Sequence, residues 1–240
     1  SISGLPISIG IIVCAVVVTI YTYIGGMWAV SITDFVQTIM IVAGMLAIAV
    51  VAVQDAGGLS VVLQKASAEN PDFFNFLPKE KSWTSWLTYF TAWITLGLGS
   101  LPQQDIFQRV MAAKSEKDSI NAAYFSSVMY LTVAFIPLVV ALCAKQLYPD
   151  LAQGNLQMLL PTMVVRHFGH TMKILFFGAL LSAILSTTSG AILAPATVLG
   201  ENIIKPYFKQ LADSQLLFII RLSILFIAGI SCIMSTLNSN

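Results

Sequence analysis

Four consecutive hydroxyl residues stand in the middle of an otherwise apolar stretch of the chain, which reads LSAILSTTSGAILAPA over residues 181–196. In a helix, positions i, i+3 and i+4 share one face. The backbone carbonyl of Ala183 and the hydroxyls of Ser186 and Thr187 can therefore point at one spot. Hard cations take oxygen ligands of this kind. The spacing thus makes half of a Na⁺ site chemically reasonable, with further oxygens expected from a facing, broken helix.

The same residues have a second interpretation that needs no ion. Serine and threonine in membrane helices often bond to the carbonyl four residues earlier, and small residues mark the places where helices touch. Such a small-residue face would consist of Ala179, Ala183, Thr187, Gly190, Ala191 and Ala194. Spacing alone leaves both interpretations open.

The carboxylate of Asp34 has apolar runs on both sides of it in the sequence. An ionisable group near membrane depth indicates a functional role, here on a cation pathway. Aspartate also favours the first turn of a helix, and Asp34 stands where the second apolar run begins. We expect a pathway role, a helix cap, or both.

A third candidate region, residues 93–109, reads WITLGLGSLPQQDIFQR. Its two glycines and Pro102 argue against an unbroken helix, and Gln103 supplies amide donors and acceptors beside them. Broken helices that line a cavity are where transporters bind substrate. Trp93 lies deep enough to line such a cavity and to face a cationic ligand. The alternative is a helix that simply ends before Pro102.

The elements that must position these residues are membrane spans. Of 240 residues 57% are hydrophobic and 10% are charged, against about 25% charged in soluble domains. Long runs without charge meet the length of about 20 residues that crosses a bilayer. We predict a single, all-α transmembrane domain over residues 1–240, with six spans at about 5–25, 34–54, 84–104, 118–143, 172–199 and 215–237.

Several classes of function are excluded or disfavoured. A net charge of +1 gives no basis for nucleic-acid binding. An intramembrane enzyme with Ser186 or Ser189 as nucleophile lacks a partner base, because both histidines lie outside the predicted spans. We therefore predict no enzymatic activity. The chain opens with SISGLPISIG, and we expect it to be a fragment of a longer protein.

Three stretches resemble the sodium:solute symporter family. They are YIGGMWAVSITDFVQ at 23–37, LPQQDIFQRVMAAKS at 101–115 and AILSTTSGAILAPATVLGENI at 183–203. Their order and spacing match the family over essentially the whole chain. The resemblance implies a LeuT-like fold of two inverted five-helix repeats, of which this chain covers core helices four to nine. It also implies Na⁺-coupled uptake by alternating access.

The resemblance further implies roles for six residues. They are the Na⁺ half-site of Ala183, Ser186 and Thr187, the intracellular ion pathway at Asp34, and the substrate-facing Ser100 and Gln103. The resemblance also implies that the first core helix, which completes both sites, lies outside these 240 residues. The FQRV motif is similar to the choline-transporting branch, but Gln103 replaces the aromatic residue that this branch carries after the proline.

We therefore predict Na⁺-driven symport of a small organic solute, with Na⁺ as the coupling ion. The expected partners are the solute, the lipid bilayer and the remaining helices of the full-length chain. The expected location is a bacterial inner (plasma) membrane, as a multi-pass protein. An uncoupled channel or a solute sensor on the same fold is the alternative.

Overall fold

Helices make up the secondary structure throughout the part of the chain that the structure describes. The computed structural model describes residues 6–80, 82–99, 101, 103–152, 156–208 and 211–238, and these contain no strand. Their α-helices are α1 (Ile7–Asp55), α2 (Leu59–Glu69), α3 (Trp83–Gly99), α4 (Gln104–Met111), α5 (Glu116–Thr132), α6 (Phe135–Leu147), α7 (Pro149–Ala152), α8 (Leu159–His167), α9 (His170–Val198) and α10 (Asp213–Asn238). The predicted all-α class is confirmed.

Four helical stretches within the described residues are long and apolar enough to cross a membrane. They are Ile7–Asp55, Glu116–Leu147, His170–Tyr207 and Asp213–Leu237. The first of them is 49 residues long, more than twice the roughly 20 residues that one span needs. These lengths and compositions are those of a multi-pass integral membrane protein.

α1 contains a break at Gly26, whose backbone has φ 51° and ψ −138°. Only glycine adopts this region readily, so the break follows from the residue type. A Cβ on the neighbouring Gly25 would collide with the Cβ of Ala29, so this position also requires glycine. The second half of α1 therefore covers 27–55, and the start predicted at residue 34 is wrong by seven residues.

Other predicted span boundaries also differ from the observed ones. α3 ends at Gly99 rather than at residue 104, and α4 begins at Gln104 after a short break. The span predicted at 118–143 is two helices, interrupted at Val133 and Ala134. Pro137 explains this interruption, because it has no N–H to offer to the carbonyl four residues earlier.

The two C-terminal spans are longer than predicted. The helix predicted to end at residue 199 continues from α9 through a π-helical turn, Leu199–Ile204, and a 3₁₀ turn, Lys205–Tyr207. The span predicted at 215–237 is α10, which begins at Asp213. Apolar composition marks the centre of a span well, but polar residues continue a helix beyond the point where hydropathy falls.

The chain divides into two compact units, and each is described by itself. Unit 1 comprises Ser1–Thr38 and Leu181–Asn240, and unit 2 comprises Ile39–Leu180. The core of unit 1 joins the two halves of α1 to α9 and α10; its buried members are Val18, Val30, Ile192, Leu193, Ala196, Ile224 and Ala228. The organisation of residues 1–240 as a single domain stays a prediction.

Arg221 ties α10 to the break in α1 within unit 1. Its Nε donates to the carbonyl oxygen of Tyr23 at 3.2 Å, and its Nη2 donates to the carbonyl of Ile24 at 3.5 Å. The last carbonyls of a helix have no intrahelical partner, and a cation at that end also interacts favourably with the helix dipole. Arg221 therefore caps the first half of α1 where Gly26 ends it.

Unit 2 has a core formed by the second half of α1 with α6, α8 and α9. Its buried members are Ile48, Val140, Ala144, Leu159, Met163, Val164, Phe168 and Phe176. The short helix α2 packs against α6, where the amide of Gln146 donates to the carbonyl of Val62 at 2.6 Å. An exposed ion pair of Lys145 with Glu69, at 2.8 Å, lies beside this contact.

Gly44 marks a close approach of α1 and α9 within unit 2. A Cβ at this position would lie 2.8 Å from the Cβ of Ala179 and 2.9 Å from the carbonyl oxygen of Leu175. Small residues allow membrane helices to come this close, since the bilayer supplies little hydrophobic driving force between helices. The packing of these two helices therefore depends on the missing side chain.

We expect Gly44→Ala to destabilise the full-length protein by about 1–3 kcal/mol, because an added methyl group overpacks the contact. Gly178→Ala is the matched control. It adds the same methyl group to a membrane helix of the same unit, where the nearest atom is the Met40 Cε at an ordinary 3.7 Å. Thermal unfolding in detergent measures both; equal midpoints for the two variants would contradict the close packing.

Candidate ion-binding site

Three of the four consecutive hydroxyl residues at 186–189 in α9 bond to the backbone of their own helix. Thr187, Thr188 and Ser189 donate to the carbonyl oxygens of Ala183, Ile184 and Ser186 at 2.9, 2.7 and 2.7 Å. The interpretation that needs no ion, in which these hydroxyls donate to carbonyls of the preceding turn, therefore holds for these three residues. A hydroxyl that donates its proton still keeps its lone pairs as acceptors, so this bonding does not remove the oxygens as ligands.

Ser186 differs from these three residues, because its hydroxyl bonds to a residue outside α9. It donates to the Oδ1 of Asp34 in the second half of α1, at 2.6 Å. Bonds of 2.5–2.7 Å are typical of a hydroxyl that donates to a charged carboxylate. The structure thus joins two residues that the sequence analysis assigned to separate roles.

The early start of the second half of α1 brings Asp34 to this position. Asp34 lies seven residues beyond Met27, about 10 Å along the helix axis. The hydroxyl of Thr33 bonds to the carbonyls of Ala29 and Val30, at 2.8 and 3.0 Å, rather than capping a helix start. The predicted cap role at this position is therefore wrong, and Asp34 is a half-buried carboxylate inside an apolar helix.

Tyr21 also belongs to the polar group around Asp34, although it is not among the site residues predicted from the sequence. Its hydroxyl donates to the carbonyl of Leu185 at 3.3 Å, one residue before Ser186. Asp34 and Ser189, whose side chain is fully buried, both lie near this hydroxyl. The signal in the sequence that could have indicated Tyr21 is a polar aromatic side chain within the largely aliphatic run VVVTIYTYIGG.

The buried Oε1 of Gln37 has no hydrogen-bond partner among the described residues. Gln37 lies three residues after Asp34, so the two side chains share a face of α1. Buried polar atoms are nearly always paired, so an exception marks an oxygen that is able to accept from a ligand. Gln37 therefore adds a candidate oxygen ligand that spacing along α9 could not reveal.

The chemistry of the group fits a monovalent hard cation. The candidate ligand oxygens are the carbonyl of Ala183, the hydroxyls of Ser186 and Thr187, the Asp34 carboxylate and the Gln37 amide. All are hard donors, and only one of them carries a negative charge. One carboxylate balances one positive charge, whereas a divalent cation would leave the apolar surroundings with an excess charge.

Of the residues predicted to face substrate, Trp93 and Gln103 belong to unit 2. Trp93 is on α3 and is 62% exposed, in edge contact with Tyr89 at 6.2 Å between ring centroids. Gln103 directly precedes α4, with extended backbone and an exposed side chain that makes no capping bond. Ser100 lies outside the described residues. Their substrate roles stay predictions.

The sequence model of the Sodium:solute symporter family matches residues 1–239, and the chain therefore belongs to this family. It is 31% identical to the osmoregulated proline transporter OpuE and 29% identical to the high-affinity proline transporter PutP, both of Bacillus subtilis. These alignments cover 99% and 100% of this chain. It is also 28% identical, over 93% of its length, to the human high affinity choline transporter 1.

A solved structure shares the fold. A Na⁺-coupled sialic acid symporter, captured in a substrate-bound outward-open state, matches 96% of this chain and 51% of its own, with a TM-score of 0.83 and 20% identity. The predicted LeuT-like architecture is thereby confirmed. The chain spans about half the length of the curated relatives it matches, 48% of one proline transporter and 50% of the other.

The bond between Ser186 and Asp34 should be visible as coupling between mutations. We expect Ser186→Ala and Asp34→Asn to be non-additive in the stability of the full-length protein, by about 1–3 kcal/mol, because each removes the same charged hydrogen bond. A double-mutant cycle on thermal unfolding in detergent measures this.

The matched control pairs Asp34→Asn with Thr188→Ala. Thr188 is two residues from Ser186 but bonds only within α9. Its cycle should be additive to within about 0.5 kcal/mol. Additive behaviour in both cycles would show that Ser186 and Asp34 are not bonded in the protein.

Proposed function

We propose that the full-length protein couples the inward movement of Na⁺ to the uptake of a small organic solute by alternating access. The hydrogen bond of Ser186 with Asp34 carries this proposal, because it places a cation-attracting carboxylate on the oxygen-rich face of α9. Membership of the sodium:solute symporter family supports it. The relatives' names describe transporters, which also favours transport over catalysis.

Within the proposal, hydrogen bonding prearranges the ligands of the Na⁺ half-site. Ser186 directs its one proton to Asp34, and Thr187 directs its one proton to the carbonyl of Ala183. Because each hydroxyl has already donated its proton, its free lone pairs can only accept, as a cation ligand must. Prearranged oxygens lose little freedom when they take up an ion, which favours binding.

Asp34 serves the next step of the proposed cycle. Its carboxylate is in direct contact with Ser186, so an ion that leaves the half-site meets a negative charge at once. Ionisable groups inside membrane proteins mark such ion pathways. Asp34 therefore lowers the barrier to ion release toward the cytoplasm, and the unpartnered Gln37 oxygen one turn further along α1 extends the same polar path.

The substrate site is proposed more coarsely. Ser100 and Gln103 would contact the solute and Trp93 would line its cavity, together with the remaining helices of the full-length chain. The relatives carry names of proline and choline transporters, so we propose a small organic solute. Two relatives are from Bacillus subtilis, which supports the inner (plasma) membrane of a bacterium as the location.

Removing the hydroxyls of the half-site should weaken the Na⁺ dependence of uptake. We expect Ser186→Ala and Thr187→Ala each to raise the Na⁺ concentration for half-maximal uptake about tenfold, since a lost ligand worth 1.4 kcal/mol changes an equilibrium by that factor. Thr188→Ala removes an equivalent hydroxyl from the neighbouring face and should leave it unchanged. Uptake by the full-length protein in liposomes measures all three, and a Na⁺ dependence that none of them alters would contradict the site.

A coupled symporter should bind its solute better when Na⁺ is present. We expect at least one member of a panel of amino acids, quaternary amines, sugars and carboxylates to raise the unfolding midpoint of the purified full-length protein more in Na⁺ than in K⁺, by mass action. A uniform response across both salts would argue against coupling.

The solute found in this way then separates symport from the alternative functions. A symporter exchanges labelled solute across the liposome membrane with saturable kinetics, whereas an uncoupled channel shows no saturable exchange. A sensor binds the solute and moves none of it. Counterflow measured with and without Na⁺ distinguishes these three outcomes.

A further inference from the structure

An apolar groove of about 560 Å³ runs along unit 1 between the first half of α1 and α10. Its walls carry aliphatic and small side chains, among them Val16, Ile20, Leu225 and Gly229. The hydroxyl of Thr19 also lines the groove, but it bonds to the carbonyl of Ala15 at 2.6 Å. The wall therefore offers hydrocarbon contact rather than free hydrogen-bonding groups.

The length of the groove matches one leaflet of a membrane. On α1 it extends over ten residues, from Ala15 to Ile24, which is about 14 Å along the helix axis. The hydrocarbon core of a bilayer is about 30 Å thick, so one leaflet contributes about half of that. An acyl chain that lies along the groove would span its own leaflet.

A cation stands at one end of this groove. Tyr23 and Ile24 close the groove on α1, and the guanidinium of Arg221 lies over the Tyr23 ring, 5.5 Å from its centroid. Arg221 donates one bond from Nε and one from Nη2 to the backbone, so three of its five N–H groups remain. In the part of the chain that the structure describes, no carboxylate forms an ion pair with Arg221.

An apolar groove of one leaflet's length fits one ligand chemistry when it ends at a guanidinium that has no ion pair among the described residues. We propose that the groove holds an acyl chain of an anionic phospholipid whose phosphate binds Arg221. Guanidinium groups bind phosphate oxygens through two parallel hydrogen bonds, and basic pockets between membrane helices bind anionic lipid head groups. The phosphate supplies the negative charge that the described part of the chain does not.

Binding at this place would stabilise the contact of α1 with α10. Arg221 already bridges the two helices at the Gly26 break, and the acyl chain fills the space between them along the groove. The lipid therefore acts on the segment that leads into Asp34. This inference does not depend on which solute the protein transports.

The test measures the unfolding midpoint of the full-length protein in detergent with added dioleoylphosphatidylglycerol or dioleoylphosphatidylcholine. We expect the anionic lipid to raise the midpoint by about 5 °C more than the zwitterionic one. Glycerol 1-phosphate, which has the phosphate but no acyl chains, should give no rise. An equal rise with glycerol 1-phosphate, or no preference between the two lipids, would overturn the proposal.

Two variants locate the effect. Arg221→Gln removes the charge and should abolish the preference for the anionic lipid, but it also removes the cap on α1. Gly229→Leu fills the groove and leaves Arg221 in place; a Cβ at Gly229 meets no atom within 4 Å, so the variant should fold. It should keep the wild-type midpoint in phosphatidylcholine and lose the extra rise with phosphatidylglycerol.

The remaining outcomes count against a lipid. If the preference for phosphatidylglycerol survives both variants, the lipid binds elsewhere on the protein. If Gly229→Leu lowers the midpoint strongly in phosphatidylcholine as well, the groove is filled by protein, such as a further helix of the full-length chain.

Discussion

The hydrogen bond between the Ser186 hydroxyl and the Asp34 carboxylate is the contact on which the candidate site depends. A carboxylate in an apolar helix is costly unless other groups compensate its charge and satisfy its oxygens. Ser186 supplies one such bond across two helices, and the Tyr21 hydroxyl from the first half of α1 bonds to the neighbouring carbonyl of Leu185. Thr187, Thr188 and Ser189 bond to their own helix, so Ser186 is the member of this run of four hydroxyls that links α9 to α1.

The break at Gly26 makes this contact possible. Because the second half of α1 starts directly after Gly26, Asp34 lies two turns inside this helical half and not at its first residue. The break also exposes the last carbonyls of the preceding helical half, and Arg221 satisfies two of them from α10. Backbone groups in a bilayer have to be satisfied within the protein, so the break and the arginine belong together.

Much of the fold could be predicted from hydropathy, and the errors have identifiable causes. The spans centred on α9 and α10 were located from apolar runs, but their ends were not, since polar residues prolong both helices. The sequence predicts a connection over residues 26–33 between the first two spans, whereas the break is confined to Gly26 and the helix resumes at residue 27. The interruption before Pro137 was missed, although the absence of an N–H in proline predicts it.

By itself, the sequence determined the membrane class, the apolar spans and the face of α9 that carries Ala183, Ser186 and Thr187. All of these follow from composition or from the 3.6-residue period of a single helix, which are local properties. Only the tertiary structure decided that Ser186 bonds to Asp34, 152 residues earlier in the chain, and that Tyr21 and Arg221 contact the same helices. Pairing between helices depends on how they pack, and the spacing of residues along one helix carries no information about its neighbour.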